Sequence, residues 1–203
     1  MTLKALDLFC GAGGASAGLC AAGYDVMGVD IAPQPNYPYA FVQADAMTHP
    51  IKGYDLVWAS PPCQRFSTAT RVSGDPSSHP DLIDPVRLRL QASEAAWIIE
   101  NVPGAPIRAD YLLCGSMFGL ALRRHRKFET SWGTDGLVLS CNHSRRVVGV
   151  YGHTHGERGG WKGMLPSTKR TWSEAMGIDW MTTGELAQAI PPAYSRFLAE
   201  RVR

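Results

Sequence analysis

Short runs rich in Val, Ile and Leu alternate with helical stretches along the first hundred residues, and this alternation constrains the chain more than any other feature. KALDLF (4–9) ends in a Gly-rich turn, and GGASAGLCAAG (13–23) follows as a small-residue helix stopped by Gly23. YDVMGVD (24–30), AFVQAD (40–45), YDLVWAS (54–60) and WIIEN (97–101) read as further strands, with a helix over PVRLRLQASEAA (85–96). Apolar strands joined by helices are covered on both faces, so the spacing predicts an α/β fold with a doubly wound, mostly parallel sheet. Ligands of such sheets bind beyond the carboxyl ends of the strands. RKFETSW (126–132) and RRVVGVYG (145–152) read as additional strands, and PPAYSRFLAERVR (191–203) as a helix opened by prolines. Residues 64–84 read as a long loop and 152–170 as a flexible, Gly-rich surface segment.

A length of 203 residues suits a single domain spanning 1–203. The 45% hydrophobic and 19% charged content excludes a disordered chain. No apolar run is long enough for a membrane span, and MTLKALDLFC lacks the zones of a signal peptide, so a cytoplasmic protein without membrane contact is expected. The five cysteines form no CxxC pair and are read as reduced thiols. Charge is segregated. Residues 1–122 carry seven basic and eleven acidic side chains, whereas Arg123–Arg170 carries ten basic and three acidic ones. A positive segment of this kind is either a solvated face or a footprint for a polyanion such as nucleic acid.

Three strand ends carry chemistry. In DLFCGAGG (7–14), a Gly-rich turn leading into a helix lets a ligand approach the backbone, and Asp30 and Asp45 at the ends of the next two strands can accept hydrogen bonds from ribose hydroxyls. The third Gly of the dinucleotide fingerprint is absent, so this turn alone fits a nucleoside cofactor or a purely structural bend. In SPPCQ (60–64), two prolines stiffen the turn and aim Cys63 from the sheet edge, where a thiol acts as nucleophile if its pKa is lowered or its attack is coupled to proton transfer. Cys10 and Cys20 read as inert packing. In IIENVPG (98–104), Glu100 ends an apolar strand, and burial there would raise its pKa and suit it to acid chemistry, a cap being the plainer alternative.

The ordered set DLFCGAGG, GVDI, QAD, SPPCQ, ENVPG, LRRHRKF and AQAIPP closely resembles the cytosine carbon-5 DNA methyltransferases, from Leu3 to about Arg126 and again over the last 20 or so residues. The resemblance implies an S-adenosylmethionine-dependent, Rossmann-like domain that methylates a cytosine flipped out of duplex DNA, with S-adenosylhomocysteine as product. By position it makes Cys63 the nucleophile that adds to ring carbon 6, Glu100 the group holding the base edge, and Arg124 and Arg126 the supports of base and site. It places Phe9, Gly11, Gly13, Asp30, Ile31 and Asp45 in the cofactor pocket, with Gln188 standing for the Asn of the family's last motif. Leu122 replaces a Gln of that family, and Ala187 a Gly.

The departure is size. Only residues 127–186 are available for target recognition, which fits a compact, phage-type, restriction-modification-like member with a reduced basic segment at about 130–170. Arg158, Lys162, Lys169 and Arg170 are expected to contact phosphates of double-stranded DNA, and specificity to be short or to come from a separate partner. Cys141, His143, His153 and His155 are a zinc tetrad by residue type, but their spacing matches no zinc pattern, and no metal site is assigned. Cytosine methylation of tRNA and a catalytically inactive nucleic-acid-binding regulator are the alternative readings.

Overall fold

The computed structural model describes residues 2–67, 70, 72, 74–137, 140–152, 154, 156 and 164–202. Its strands are β1 (Lys4–Leu8), β2 (Asp25–Asp30), β3 (Ala40–Gln43), β4 (Leu56–Ala59), β5 (Ala96–Asn101), β6 (Tyr111–Leu113) and β7 (Arg126–Thr130). Its helices are α1 (Gly14–Ala21), α2 (Ile83–Gln91), α3 (Lys169–Met176), α4 (Thr183–Gln188) and α5 (Pro192–Ala199). The strands form one sheet in the order β3-β2-β1-β4-β5-β7-β6, parallel from β3 to β5. β7 runs antiparallel to both of its neighbours. The α/β class and mostly parallel sheet are as expected. The antiparallel strand arises because β6 and β7 are joined without the crossover helix that a parallel return needs.

Period-2 alternation divides the core between the two sheet faces. Leu56, Trp58, Ile98 and Phe128 turn to one face, where Leu19, Tyr194 and Leu198 of α1 and α5 cover them. Val57, Ala59, Trp97 and Ile99 turn to the other, against Ile83, Val86 and Leu90 of α2. A third cluster, with Trp172, Met176, Ile178, Met181 and Leu186 at its centre, reaches Ala12 in the Gly-rich turn. Trp180 fastens the same junction by donating its indole N–H to the Ala12 carbonyl at 2.9 Å.

Three expectations need correction. RRVVGVYG is not a sheet strand: Val147, Val148 and Val150 are buried, but the segment is tied by single bonds, Val148 N–H to Ala121 O at 2.7 Å and Leu165 N–H to Val147 O at 2.9 Å. Lys169 and Arg170 do not lie in a loose loop, because Thr168 caps α3 and Arg170 pairs with Glu174 one turn on, at 3.3 Å. The 64–84 stretch contains 3₁₀ turns at Gln64–Phe66 and Pro76–Ser78, drawn together where Arg65 donates to the His79 carbonyl at 3.1 Å.

α1 lies against α5 because its facing positions are small. A Cβ on Gly18 would stand 2.1 Å from both the Pro192 carbonyl oxygen and Ser195 Oγ, and 2.7 Å from Arg196 N. Two of these atoms are backbone and cannot swing aside. Gly18→Ala is therefore expected to cost about 3 kcal/mol, the upper part of the overpacking range, read as a lowered urea midpoint with an unchanged slope.

Candidate active site

Phe9 adopts a left-handed backbone with φ 60°, and Gly11 and Gly13 follow at 48° and 88°. A bulky residue rarely tolerates that conformation, so the turn after β1 is a held, strained loop. Space is open where a Cβ on Gly11 would project. The Asp30 carboxylate closes the turn against β2, accepting Gly11 N–H and Ala32 N–H at 3.0 Å each. Two accepted bonds leave further lone pairs on the carboxylate. Beside it Ile31 is 73% exposed, an apolar surface with no partner among the described residues. An open glycine cradle, a carboxylate with spare acceptor capacity and an adjacent bare apolar side chain fit the ribose and base of a nucleoside cofactor. Asp45 is exposed and uses Oδ1 to cap its own turn at Met47 N–H, 2.8 Å away. Gln188 ends α4 and is exposed.

Beneath the loop, Asp7 is fully buried and accepts from Ser16 Oγ at 2.5 Å, while Tyr37 OH lies 2.7 Å from the same hydroxyl. Desolvation, only partly offset by Ser16, pushes the Asp7 carboxyl up to about 7. Cys10 is buried, and burial followed by the Asp7 charge raises its thiol pKa far enough to keep it inert. Cys20 is exposed on α1, contrary to its expected packing role.

Cys63 stands at the start of the 3₁₀ turn after Pro61 and Pro62. The loop is held from β5: the Asn101 side-chain amide, fully buried, donates to the Pro61 carbonyl at 3.0 Å and accepts Val102 N–H at 2.9 Å. Its neighbour Glu100 is 5% exposed and pairs with Arg126 Nε at 3.0 Å. Ser60 accepts the Trp58 indole N–H at 2.9 Å and hydrogen-bonds Glu100. Burial raises the Glu100 pKa in spite of Arg126, Ser60 and Arg124. Burial and the Glu100 charge likewise raise the Cys63 thiol, with Arg126 and Arg124 opposing them. Burial thus works against a depressed pKa as the source of a reactive thiol and favours attack coupled to proton transfer.

Arg124 is 2% exposed, with its guanidinium donating to Val150 O at 3.0 Å and Ala187 O at 2.6 Å. Desolvation and Arg126 pull its pKa down to about 9, which still leaves it charged at neutral pH. Its Nε is buried without a partner, and Tyr194 OH donates to its carbonyl at 2.9 Å. Leu122, in place of a Gln, is buried against Trp172 and Val148 and serves the core.

The structure thus gathers Cys63, Glu100, Arg126 and Arg124 at one edge of the sheet, with Phe9, Gly11, Gly13, Asp30 and Ile31 on the adjoining loops. Sequence reading missed Asn101 and Ser60: Asn101 follows Glu100 and Ser60 opens the SPPCQ run, but their contacts with Pro61 and Glu100 are not local in the chain. Arg158 and Lys162 lie outside the described residues. The basic side chains that do converge are Arg123, Arg145 and Arg146, around a surface hollow of about 290 Å³.

Sheet order and the mostly parallel α/β architecture define a Rossmann-like fold of the kind found in S-adenosylmethionine-dependent methyltransferases. The family model for C-5 cytosine-specific DNA methylases matches residues 3–106, and the chain belongs to that family, whose cofactor is S-adenosylmethionine. It is 27% identical over 174 residues to the type II methyltransferase M.HgiDI of Herpetosiphon aurantiacus, an alignment covering 76% of this chain and 53% of the relative. The chain thus spans about half the length of that curated relative. Among solved structures it is similar to the Dnmt2 methyltransferase of S. pombe, with TM-score 0.61, 15% identity and 97% of each chain covered. A DNMT2 mutant of Spodoptera frugiperda aligns with TM-score 0.48 and 21% identity, over 70% of this chain and 54% of that one.

Arg126 offsets the desolvation of Glu100, so Arg126→Ala leaves a buried carboxylate without its cation. The Glu100 pKa, already raised, then rises further, and the folded state holds its proton over a wider range than the unfolded chain does. Stability lost in the variant is accordingly small where Glu100 is protonated and grows as pH rises. The expected cost is about 3 kcal/mol near pH 8 and clearly less near pH 5, measured by urea unfolding of both proteins at the two pH values.

Proposed function

We propose that this protein transfers a methyl group from S-adenosylmethionine to carbon 5 of cytosine in double-stranded DNA, with Cys63 as nucleophile. The observation that carries the reading is the union of two loops: Asn101 binds the Pro-Pro-Cys turn to the strand end that presents Glu100, and Arg126 holds Glu100 from β7. Family membership supports cytosine and carbon 5. DNA as substrate is favoured by the family and by the type II methyltransferase relative, and the hollow lined by Arg123, Arg145 and Arg146 suits a phosphate backbone.

The target base must leave the duplex stack to reach the sheet edge. Cys63 Sγ then bonds to ring carbon 6 as its proton departs, and the ring's electron pair moves toward carbon 5. Glu100, kept in a high-pKa environment, donates its proton to the ring nitrogen where charge develops. Arg126 holds that carboxyl in place, and Arg124 supports the site from behind. When bound, S-adenosylmethionine supplies an electrophilic methyl group. Loss of the carbon 5 proton to water expels the Cys63 thiolate and restores the ring, and the ring nitrogen returns its proton to Glu100. Asp30, Ile31, Phe9, Gly11 and Gly13 would hold the cofactor; Asp45 and Gln188 are assigned weaker, peripheral parts, since one caps its own turn and the other ends a helix.

Two experiments check this reading. Duplex DNA containing 5-fluorocytosine should trap the protein as a covalent adduct, because fluorine does not leave as a proton does; Cys63→Ser should form none. Methylation by Cys63→Ser at the wild-type rate would overturn the nucleophile, and an adduct with tRNA but not with DNA would overturn the substrate. Asp30→Ala should weaken S-adenosylmethionine binding by about 1–3 kcal/mol, the scale of a lost hydrogen bond to a charged group, in isothermal calorimetry.

A further inference from the structure

Two thiols and two imidazoles meet at the far edge of the sheet, away from the cofactor loop. Cys114 directly follows β6, His125 directly precedes β7, and Cys141 and His143 come from the irregular segment beyond β7. One ligand atom from each of the four lies within 4.8 Å of all the others. Cys114 Sγ is 3.4 Å from His143 Nε2, and Cys141 Sγ is 3.4 Å from His125 Nε2. A tetrahedral zinc ion with bonds of about 2.3 Å to sulfur and 2.0 Å to nitrogen sets its ligands about 3.3–3.8 Å apart. The side chains are therefore close to the spacing a single ion would impose.

We propose that Cys114, His125, Cys141 and His143 form a structural zinc site. Two thiolates and two neutral imidazoles are a donor set that selects zinc, and four protein ligands leave no open position for a reacting water. Supporting groups are in place around it. Ser116 Oγ lies 3.3 Å from Cys114 Sγ and accepts Asn142 N–H at 3.2 Å, which places one hydroxyl between the two cysteine-bearing loops. Arg123 donates to the His143 carbonyl at 2.9 Å, fixing the histidine's backbone. Such outer contacts orient ligands in metal sites.

The site also answers a structural need. From Ser131 to Gly152 no described residue belongs to a helix or strand, and an ion joining this segment to both ends of the β6–β7 connection would fasten it. His125 lies between Arg124 and Arg126, so its ligation would fix the stretch of chain from which both arginines project. Cys141 and His143 belong to the tetrad suggested by residue type; their partners are Cys114 and His125. His153 and His155 lie outside the described residues.

Elemental analysis of protein purified under reducing conditions without added chelator should find about one zinc per chain, and cobalt exchanged into it should give tetrahedral d–d absorption with thiolate charge-transfer bands. Cys141→Ala with His143→Ala should lose the metal and lower the melting temperature while keeping the far-ultraviolet spectrum, and Cys20→Ser should keep the metal. Protein that holds no zinc and takes up neither zinc nor cobalt after reduction would overturn the site, as would full zinc content in the double variant. A Cys114–Cys141 disulfide in the reduced preparation would overturn it too. If the double variant does not fold, the cobalt spectrum of the unaltered protein decides: thiolate charge-transfer bands support the site and their absence refutes it.

Discussion

Taking the Glu100 carboxyl out of water is the cost around which the rest of the site is arranged. Glu100 is the penultimate residue of a strand buried along most of its length, and an isolated carboxylate there would simply stay protonated. Arg126 makes a charged or proton-sharing state accessible, and the sheet topology explains how it arrives. Because β7 runs antiparallel to β5, its first residue stands at the carboxyl end of β5, with Lys127 opposite Asn101 and Phe128 opposite Glu100. A parallel strand in that slot would begin at the opposite edge, and its leading arginine would be a strand's length from the carboxyl. The one reversed strand of the sheet is thus what puts a cation at the functional edge.

The cofactor side depends on packing rather than charge. The Gly-rich turn is braced from below by Ser16 and Asp7, and from the side by Trp180 on the Ala12 carbonyl. Tyr194 of α5 reaches the Arg124 backbone while its helix covers α1. Helix α5 therefore packs behind the helix that follows the Gly-rich turn and also holds the backbone of Arg124. Rigid support of this kind is what a positioned reaction needs.

Strands β1, β2, β4 and β5 were legible because each carries a largely apolar run followed within a few residues by Gly, Pro or Asp. β6 was not: Tyr111–Leu113 is three residues long, too short for any period to register. RRVVGVYG misled for the opposite reason, since its valines are buried as a strand's would be but face a helical cluster and have no neighbouring strand. α3 hides in a polar context, where only Trp172, Ala175 and Met176 turn inward. Cys63 and Glu100 could be named from their places near strand ends, and Arg124 and Arg126 through the family resemblance of LRRHRKF. Asn101 could not, because its contribution is a contact across 40 positions that no local pattern encodes. The same holds for Cys114 and His125, which lie at the two ends of the connection between adjacent strands.

The glycine face of α1 has a consequence for how the molecule is made. Ser195 donates to the Ala15 carbonyl across 180 positions of sequence, and Gly14 and Gly18 leave no gap for anything but residues 189–196. The helix behind the nucleoside loop cannot dock until the ribosome has delivered nearly the whole described chain. Contacts this distant in sequence close late and slowly. A nascent chain would therefore carry the complete Pro-Pro-Cys turn and its glutamate well before α5 can dock behind the Gly-rich turn.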